Sequence, residues 1–303
     1  MAVVSWNTRE LLLRCLDSLA GEVRTGRAEV WVVDNGSSDG SPAAVRARAP
    51  WARVLEPERN LGFGTAVNAV AAQTRAEWLL AANGDVALAE GALAALLARG
   101  EDPRVGCVAP RLVLPDGVTQ HSVHPLPTLP VTLAFNLGLH RLSPSLGERL
   151  CLEGFWNPER GRTVPWAIGA CLLLRRTAFD SVGGFDPRQW MYAEDLDLSW
   201  RLRQQGWRTA YQPAARVRHE SGASAQRAFG ERRTARFMAA TYAMLRRRRG
   251  PLRMWLTAAV NIAGAAARAG ATGALALGWR RWRAPAGTSR MWLKAHVEAV
   301  RGA

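Results

Sequence analysis

Along the first hundred residues, short apolar runs alternate with segments of helical period, and each run stops at a polar or acidic turn. Ala2-Val3-Val4-Ser5 gives way to Trp6-Asn7-Thr8, after which Leu11, Leu12, Cys15, Leu16 and Leu19 recur at the spacing of one helix face. Glu29-Val30-Trp31-Val32-Val33 reads as a buried strand, followed by a polar turn and a helix carrying Val45. Val54-Leu55 and Trp78 to Ala82 read as a third and fourth strand, Glu90 to Ala98 as a helix, and Val105 to Ala109 as a fifth strand. This β-α-β-α order predicts an α/β protein with a parallel sheet and ligands at the carboxyl ends of its strands.

Acids stand at those ends. Asp34 opens the turn Asp34-Asn35-Gly36-Ser37-Ser38-Asp39-Gly40-Ser41. A carboxylate there can accept a hydrogen bond from the imide N–H of uracil or thymine, while Asp39 or Ser41 caps the next helix. In Asn60-Leu61-Gly62-Phe63-Gly64-Thr65-Ala66-Val67-Asn68, two glycines before a helix let free backbone N–H groups approach an anion. The pattern is not G-x-G-x-x-G and no lysine matches a P-loop, which disfavours a dinucleotide fold or a kinase-like NTPase. Asn83-Gly84-Asp85 ends the fourth strand. Mg²⁺ wants one or two carboxylates plus phosphate oxygens; a plain Asn-Gly turn is the other reading.

Residues 110–165 have weak periodicity and read as an excursion that covers the site or binds acceptor; His121, His124 and His140 are expected there as exposed loop histidines. Val164 to Arg176 reads as one strand in which Gly169 permits close approach of a ligand, and Phe179 begins a short helix. After Gly183-Gly184-Phe185-Asp186, the stretch Trp190 to Arg203 sets Glu194, Asp195 and Asp197 among aromatic and aliphatic residues. Packed carboxylates resist ionising together, so at least one pKa rises, which yields a base that works near neutral pH. A helix start, where acids meet the positive end of the dipole, is the alternative. Trp207 to Tyr211 reads as a strand, and Arg216 to Ser224 closes the body. His219 could offer a ring nitrogen to a metal or simply cap a strand end.

Charge is spread unevenly. Residues 227–303 hold 16 Arg or Lys against 2 acids, whereas residues 1–226 hold 24 against 23. A near-neutral body with a cationic attachment points to an anionic partner. Arg232, Arg233 and Arg236, and then Arg246 to Arg249, flank the apolar run Phe237 to Leu245. Such clusters suit an anionic leaflet, and nucleic acid is disfavoured because few aromatics interleave with the charges. The longest uncharged run near the C-terminus, Met254 to Ala267, has 14 residues. A spanning helix needs about 20, so the tail is expected to lie on a membrane. Cys15, Cys107, Cys151 and Cys171 are far apart with no C-x-x-C pair, as buried thiols in a reducing compartment would be. The chain opens on a strand, so no signal peptide is expected. Together these place the protein in the cytoplasm, peripheral to the inner face of the cell membrane.

The separate pieces fall into one order: Val4-Ser5-Trp6-Asn7, Asp34 to Gly40, Asn60 to Gly64 with Asn68, Asn83-Gly84-Asp85, Gly169 to Arg176, Gly183 to Asp186, Glu194-Asp195-Leu196-Asp197-Leu198, and His219 with Ser224. In that order the chain resembles the family 2 inverting glycosyltransferases, and within them the rhamnosyltransferase-like branch, over about residues 3–225. Gly84 stands where the family carries Pro or Asp.

The resemblance implies a GT-A fold over residues 1–226, with a mostly parallel mixed sheet flanked by helices, and a basic helical extension over residues 227–303. It implies that Asp34 binds the pyrimidine base and that Ser5, Asn7, Asn60, Gly64, Asn68, Asn83 and Gly169 line the nucleotide sugar. Asp85 and His219 would hold Mg²⁺ or Mn²⁺. Asp195 would be the catalytic base, with Glu194 on acceptor or sugar hydroxyls. The implied partners are a nucleotide-diphosphate sugar, with dTDP-rhamnose the best expectation, and a glycan or polyprenyl-linked acceptor. A non-catalytic subunit that keeps the fold and binds a partner through its tail is the competing expectation; Asp34 and the intact Glu194-Asp195 stand against it.

Overall fold

The computed structural model describes residues 1–220 and 233–302. Ser224, Arg232 and the expected boundary between 226 and 227 lie outside the described residues. The chain divides into two compact units, Met1–His124 with Asn157–Arg227, and Pro125–Trp156 with Ala228–Ala303.

The first unit opens with β1 (Ala2–Ser5), α1 (Arg9–Arg24), β2 (Trp31–Asp34), α2 (Ser41–Arg48), β3 (Arg53–Leu55), α3 (Phe63–Ala71) and β4 (Trp78–Asn83). It continues with β5 (Val86–Leu88), α4 (Ala92–Gly100), β6 (Val105–Val113) and β7 (Val123–His124). The second unit then takes α5 (Leu129–Asn136), α6 (Leu139–Leu142) and α7 (Pro144–Arg149). The chain returns to the first unit for β8 (Arg162–Val164), β9 (Trp166–Ala167), β10 (Cys171–Arg175), α8 (Arg176–Ser181), α9 (Glu194–Gln204) and β11 (Arg208–His219). It closes in the second unit with α10 (Arg233–Arg249), α11 (Pro251–Gly278) and α12 (Arg283–Arg301).

One mixed sheet runs β3-β2-β1-β4-β10-β6-β11-β5, with β8 on β11, as the α/β expectation required. The four strands from β3 to β4 are mutually parallel. Their residues are apolar on both faces because helices cover both sides. Leu12, Leu16 and Leu19 of α1 pack with Val3, Val32 and Leu80 in the core. Each such side chain contributes about 1.5–3 kcal/mol by burial. β10 runs antiparallel between β4 and β6, so its amino end shares an edge with the carboxyl ends of β2, β1 and β4. The register fixes that edge: Ser5 lies opposite Asp34, Val4 opposite Asn83, and the Asn83 N–H donates to the Ala170 carbonyl at 2.9 Å.

Several expectations need correcting. The single strand read over 164–176 is cut into three short pieces, and the helix after it begins at Arg176 instead of Phe179. The excursion of 110–165 is shared between the units. Its histidines are not exposed loop residues. His140 is buried, and His124 lies in β7 with its ring 4.9 Å from Trp166 and 4.3 Å from His121. Burial pushes the His124 imidazole down to about 3, with help from His121. All four cysteines are buried thiols outside any disulfide.

In the second unit a polar seam runs between helices. Tyr242 Oη and His296 Nδ1 are 2.8 Å apart, Asn261 Nδ2 donates to Tyr242 Oη, and Asn136 Nδ2 donates to Asn261 Oδ1 at 3.0 Å. Arg268, which interrupts the apolar pattern of α11, turns inward: its guanidinium donates to Asn136 and lies 5.8 Å from the Phe135 ring. Among the described residues no helix is long and apolar enough to cross a membrane.

Candidate active site

The common edge of β2, β1, β4 and β10 gathers most of the predicted residues. Asp34 is buried; its Oδ2 accepts from the Ser37 N–H at 2.8 Å, and its Oδ1 takes no hydrogen bond. Ser5 sits beside it, its hydroxyl 3.0 Å from that of Thr8. Asn7, at φ +52°, accepts from the Ser38 N–H and donates its own N–H to Ser37, which stitches the first loop to the second. Asn35 extends this lacing: its amide accepts from the Leu61 N–H and donates to the Gly62 carbonyl. Asn60 closes a local turn by accepting from the Gly62 N–H at 2.9 Å.

The two glycines serve packing more visibly than anion approach. Gly62 has φ +75°, and a Cβ there would fall on the Trp190 carbonyl. At Gly64 a Cβ would stand 2.7 Å from Phe185 Cβ. Asn68 has both ends of its amide on Phe185, donating to its carbonyl at 2.8 Å and accepting from its N–H at 2.9 Å. In this structure Gly64 and Asn68 anchor the segment that leads to the acidic helix. Arg59, Asn60, Leu61, Thr65, Pro187 and Trp190 bound a cavity of about 360 Å³ beside that anchor. A second cavity, of about 320 Å³, lies at the other end of α9 against Ser199, Arg203 and Thr209, away from this edge.

Asp85 stands in the tight turn between β4 and β5. β5 pairs with β11 so that Val86 lies opposite His219. His219 Nε2 is thereby 3.6 Å from Asp85 Oδ1, with both side chains under 9% exposed. That separation exceeds a hydrogen bond, and Asp85 Oδ1 accepts none. Burial raises the Asp85 pKa and the nearby His219 partly offsets it. A buried carboxylate oxygen facing an imidazole nitrogen without a proton bridge fits a divalent cation. Among the described residues no group of three His, Cys, Asp or Glu forms, so this pair could supply only part of a coordination shell. Gly84 lies close under Ser5: a Cβ there would be 3.1 Å from Ser5 Cβ.

α9 begins after two successive left-handed residues, Tyr192 at φ +63° and Ala193 at φ +58°. Non-glycine residues in that region cost about 1–3 kcal/mol each and cluster at functional sites. They aim the first turn of α9 at the sheet edge. Asp195 Oδ2 accepts from the Gly169 N–H at 2.7 Å, and Oδ1 accepts from the Leu196 N–H at 2.7 Å. Burial lifts the Asp195 pKa to about 6 against the pull of these bonds. Burial, and then the Asp195 charge, lift Glu194 to about 8, and its Oε2 has no partner. The third acid is structural. Asp197 is fully buried and bonds Arg201 at 2.7 Å, while Arg201 donates to the Val182 and Gly184 carbonyls.

Asp34, Asp85 and Glu194 thus each present a buried, unpartnered carboxylate oxygen. From β2 to β10 is three strand spacings, about 14 Å. Sequence reading missed Asn35, Arg201 and Gln120, whose Oε1 is 2.7 Å from His219 Nδ1. The only sequence signal near Gln120 is the turn-forming Pro115-Asp116-Gly117 before it.

Comparison with known proteins gives a consistent picture. The family described as "Glycosyltransferase like family 2" matches residues 1–240. An N-acetylglucosaminyl-diphospho-decaprenol L-rhamnosyltransferase of Mycobacterium tuberculosis is 38% identical over 214 residues, 65% of this chain and 68% of its own length. The O-antigen biosynthesis protein RfbC of Myxococcus xanthus is 28% identical over 236 residues, 73% of this chain and 17% of its own. Among solved structures, the mannosyltransferase PcManGT from Pyrobaculum calidifontis, in complex with GDP-Man and Mn²⁺, superposes with a TM-score of 0.61 at 19% identity. That alignment covers 99% of this chain and 86% of the mannosyltransferase.

Proposed function

The chain belongs to glycosyltransferase-like family 2 and is a glycosyltransferase of GT-A fold; from that premise we propose that it moves rhamnose from dTDP-rhamnose to a polyprenyl-diphosphate-linked or polysaccharide acceptor, with inversion. One observation carries the reading. Asp195, held by the Gly169 N–H, sits on the same sheet edge as Asp34 and the Asp85–His219 pair. A nucleotide diphosphate sugar laid along that edge puts its base at Asp34 and its anomeric carbon toward Asp195.

Asp34 Oδ1 accepts the imide N–H of the base. Ser5, Asn7, Asn60, Asn83 and Gly169 wall the nucleotide sugar. Asp85 and His219 would hold a divalent cation, Mg²⁺ or Mn²⁺, which would neutralise charge developing on the departing diphosphate. Asp195 takes the proton of the acceptor hydroxyl as that oxygen attacks the anomeric carbon from the face opposite the diphosphate. The C–O bond to the diphosphate breaks in the same displacement, so no covalent sugar–enzyme intermediate forms. Glu194, protonated near neutral pH, donates a hydrogen bond to an acceptor or sugar hydroxyl.

Catalysis is assigned to residues 1–226, and attachment to the inner face of the cell membrane to the basic segment 227–303. The surface of α11 supports this. From Trp255 to Gly278 every exposed position is Trp, Leu, Ala or Gly, and exposed Arg253, Arg280 and Arg281 stand at the two ends. Leu133, Phe135, Leu137, Leu139 and Leu142 in the same unit are also exposed. An uncharged face bounded by arginines and by Trp255 and Trp279 suits the interface of an anionic bilayer.

Thermal-shift screening of nucleotide sugars with Mg²⁺ or Mn²⁺ tests the reading. dTDP-rhamnose should raise Tm, and the rise should grow with the logarithm of its concentration above Kd. Indifference to every nucleotide sugar would contradict it.

A further inference from the structure

Beyond Arg253 in its first turn, α11 carries a single charge, Arg268. That residue lies at helical spacing from half-buried Asn261 and buried Ala265, on the stripe that turns toward the rest of the unit. Gly264 lets this stripe close on α5, since a Cβ there would collide with Asn136 Oδ1. The close approach sets the Asn136 amide between two groups of α11. Its Nδ2 donates to Asn261 Oδ1, and its Oδ1 accepts from Arg268 Nη1, each at 3.0 Å. The Arg268 guanidinium lies 5.8 Å from the Phe135 ring, within reach of a cation–π contact. Phe135 is itself stacked on His140, with ring centres 5.3 Å apart. Asn136 and Phe135 thus fix where the guanidinium stands.

This fixed charge has no counter-charge. Among the described residues no carboxylate pairs with Arg268 or with Arg141 of α6. Burial, and then the Arg141 charge, hold the Arg268 pKa below its ordinary value. Burial, and then the Arg268 charge, push the His296 imidazole down to about 4. Like charges at a half-buried place are unfavourable until an anion joins them. The neighbouring side chains say which kind of anion fits. Phe135, Leu137, Leu139 and Leu142 are all exposed. An acidic protein surface would find little to bond there. A lipid brings a phosphate for the arginines and chains for the leucines.

We infer that Arg268, together with Arg141, seats the phosphate of an anionic membrane phospholipid whose chains lie on the apolar surface from Phe135 to Leu142. This rests on the reading of the second unit as the membrane-attached part. It adds that attachment depends on one headgroup site as well as on total charge.

Flotation of the full chain with vesicles tests the site. Three compositions are needed: phosphatidylcholine alone, with added phosphatidylglycerol, and with added polyprenyl diphosphate. Wild-type protein should float with phosphatidylglycerol. Deleting any one arginine near such a surface should weaken binding about fivefold, and Arg290→Gln, at an exposed position of α12, measures that baseline. Arg268→Gln should weaken binding more, by at least about 10-fold, because a charged hydrogen bond to the headgroup is lost as well. Arg141→Gln should also exceed the baseline, and its exposed position separates lost binding from lost folding. Wild-type protein that ignores phosphatidylglycerol would overturn membrane attachment, and the site with it. If wild-type protein binds and both variants lose no more than Arg290→Gln, attachment stands and the site alone is overturned. If Arg268→Gln loses only binding to polyprenyl diphosphate, the seat belongs to the acceptor and the phospholipid assignment is overturned. Inorganic phosphate at constant ionic strength should leave wild-type protein on the vesicles; displacement by it would make this a site for free phosphate and overturn the assignment.

Discussion

Asp195 and Glu194 are adjacent in sequence, yet burial separates their titrations, Asp195 to about 6 and Glu194 to about 8. Near neutral pH one is a carboxylate and the other a carboxylic acid, so the proposed mechanism gives the role of base to the first and that of hydrogen-bond donor to the second. The rate of transfer at low donor concentration should therefore rise with pH through about 6 as Asp195 ionises. A profile flat from pH 5 to 7 would contradict this. The same shifts act on stability. Both folded-state pKa values lie above the ordinary values of 3.8 and 4.5, so the fold binds these protons more tightly than the unfolded chain does. Their contribution is most favourable below about pH 4 and is lost as pH rises, through about 6 for Asp195 and about 8 for Glu194. Glu194→Gln, which removes the buried charge, should raise Tm at pH 8 more than at pH 5. Equal Tm changes at the two pH values would remove burial as the cause.

The first turn of α9 is only as well placed as the clamp behind it. Asp197 and Arg201 form a buried ion pair, and Arg201 also binds the carbonyls of Val182 and Gly184. Breaking a buried pair by removing one partner costs about 3–5 kcal/mol. Arg201→Ala should lose about that much in denaturant unfolding, against a near-zero loss for the exposed pair partner Arg9→Ala. Equal midpoints for the two variants would show that the clamp carries no stability. Elements of this kind differ in how well they can be read from sequence. β1, β2 and β4 were legible because four or more apolar residues end at a polar turn, and Asp34 and Asp85 stood out as candidate site residues for the same reason. β5 was not, since Val86-Ala87-Leu88 is a three-residue piece whose existence depends on pairing with β11, 130 residues downstream. The packing role of Asn68 was not legible either, since its partner, Phe185, is 117 residues away and leaves no local mark. The acidic stretch gave two readings, catalytic and helix-starting, and the structure contains features of both: Asp195 faces the edge while Asp197 holds the helix.

For the whole molecule, the uneven charge of the sequence is matched by an uneven surface. Among the described residues, Val118 and Trp190 are the only exposed large apolar side chains of the first unit, whereas twelve belong to the second. With its many arginines, the second unit should bind vesicles containing anionic lipid and release them as salt rises, since screening shortens the reach of charge to about 8 Å at 0.15 M. Trp255→Glu should reduce that binding while leaving donor turnover in detergent unchanged. Binding equal on neutral and anionic vesicles would contradict the charge argument. The central claim is that one edge of one sheet binds the donor and that Asp195 performs the proton transfer there. Its most direct test is donor affinity and turnover measured side by side in Asp195→Asn. The account predicts unchanged affinity for dTDP-rhamnose, an intact fold and turnover at least about 100-fold lower; turnover near the wild-type value would contradict it.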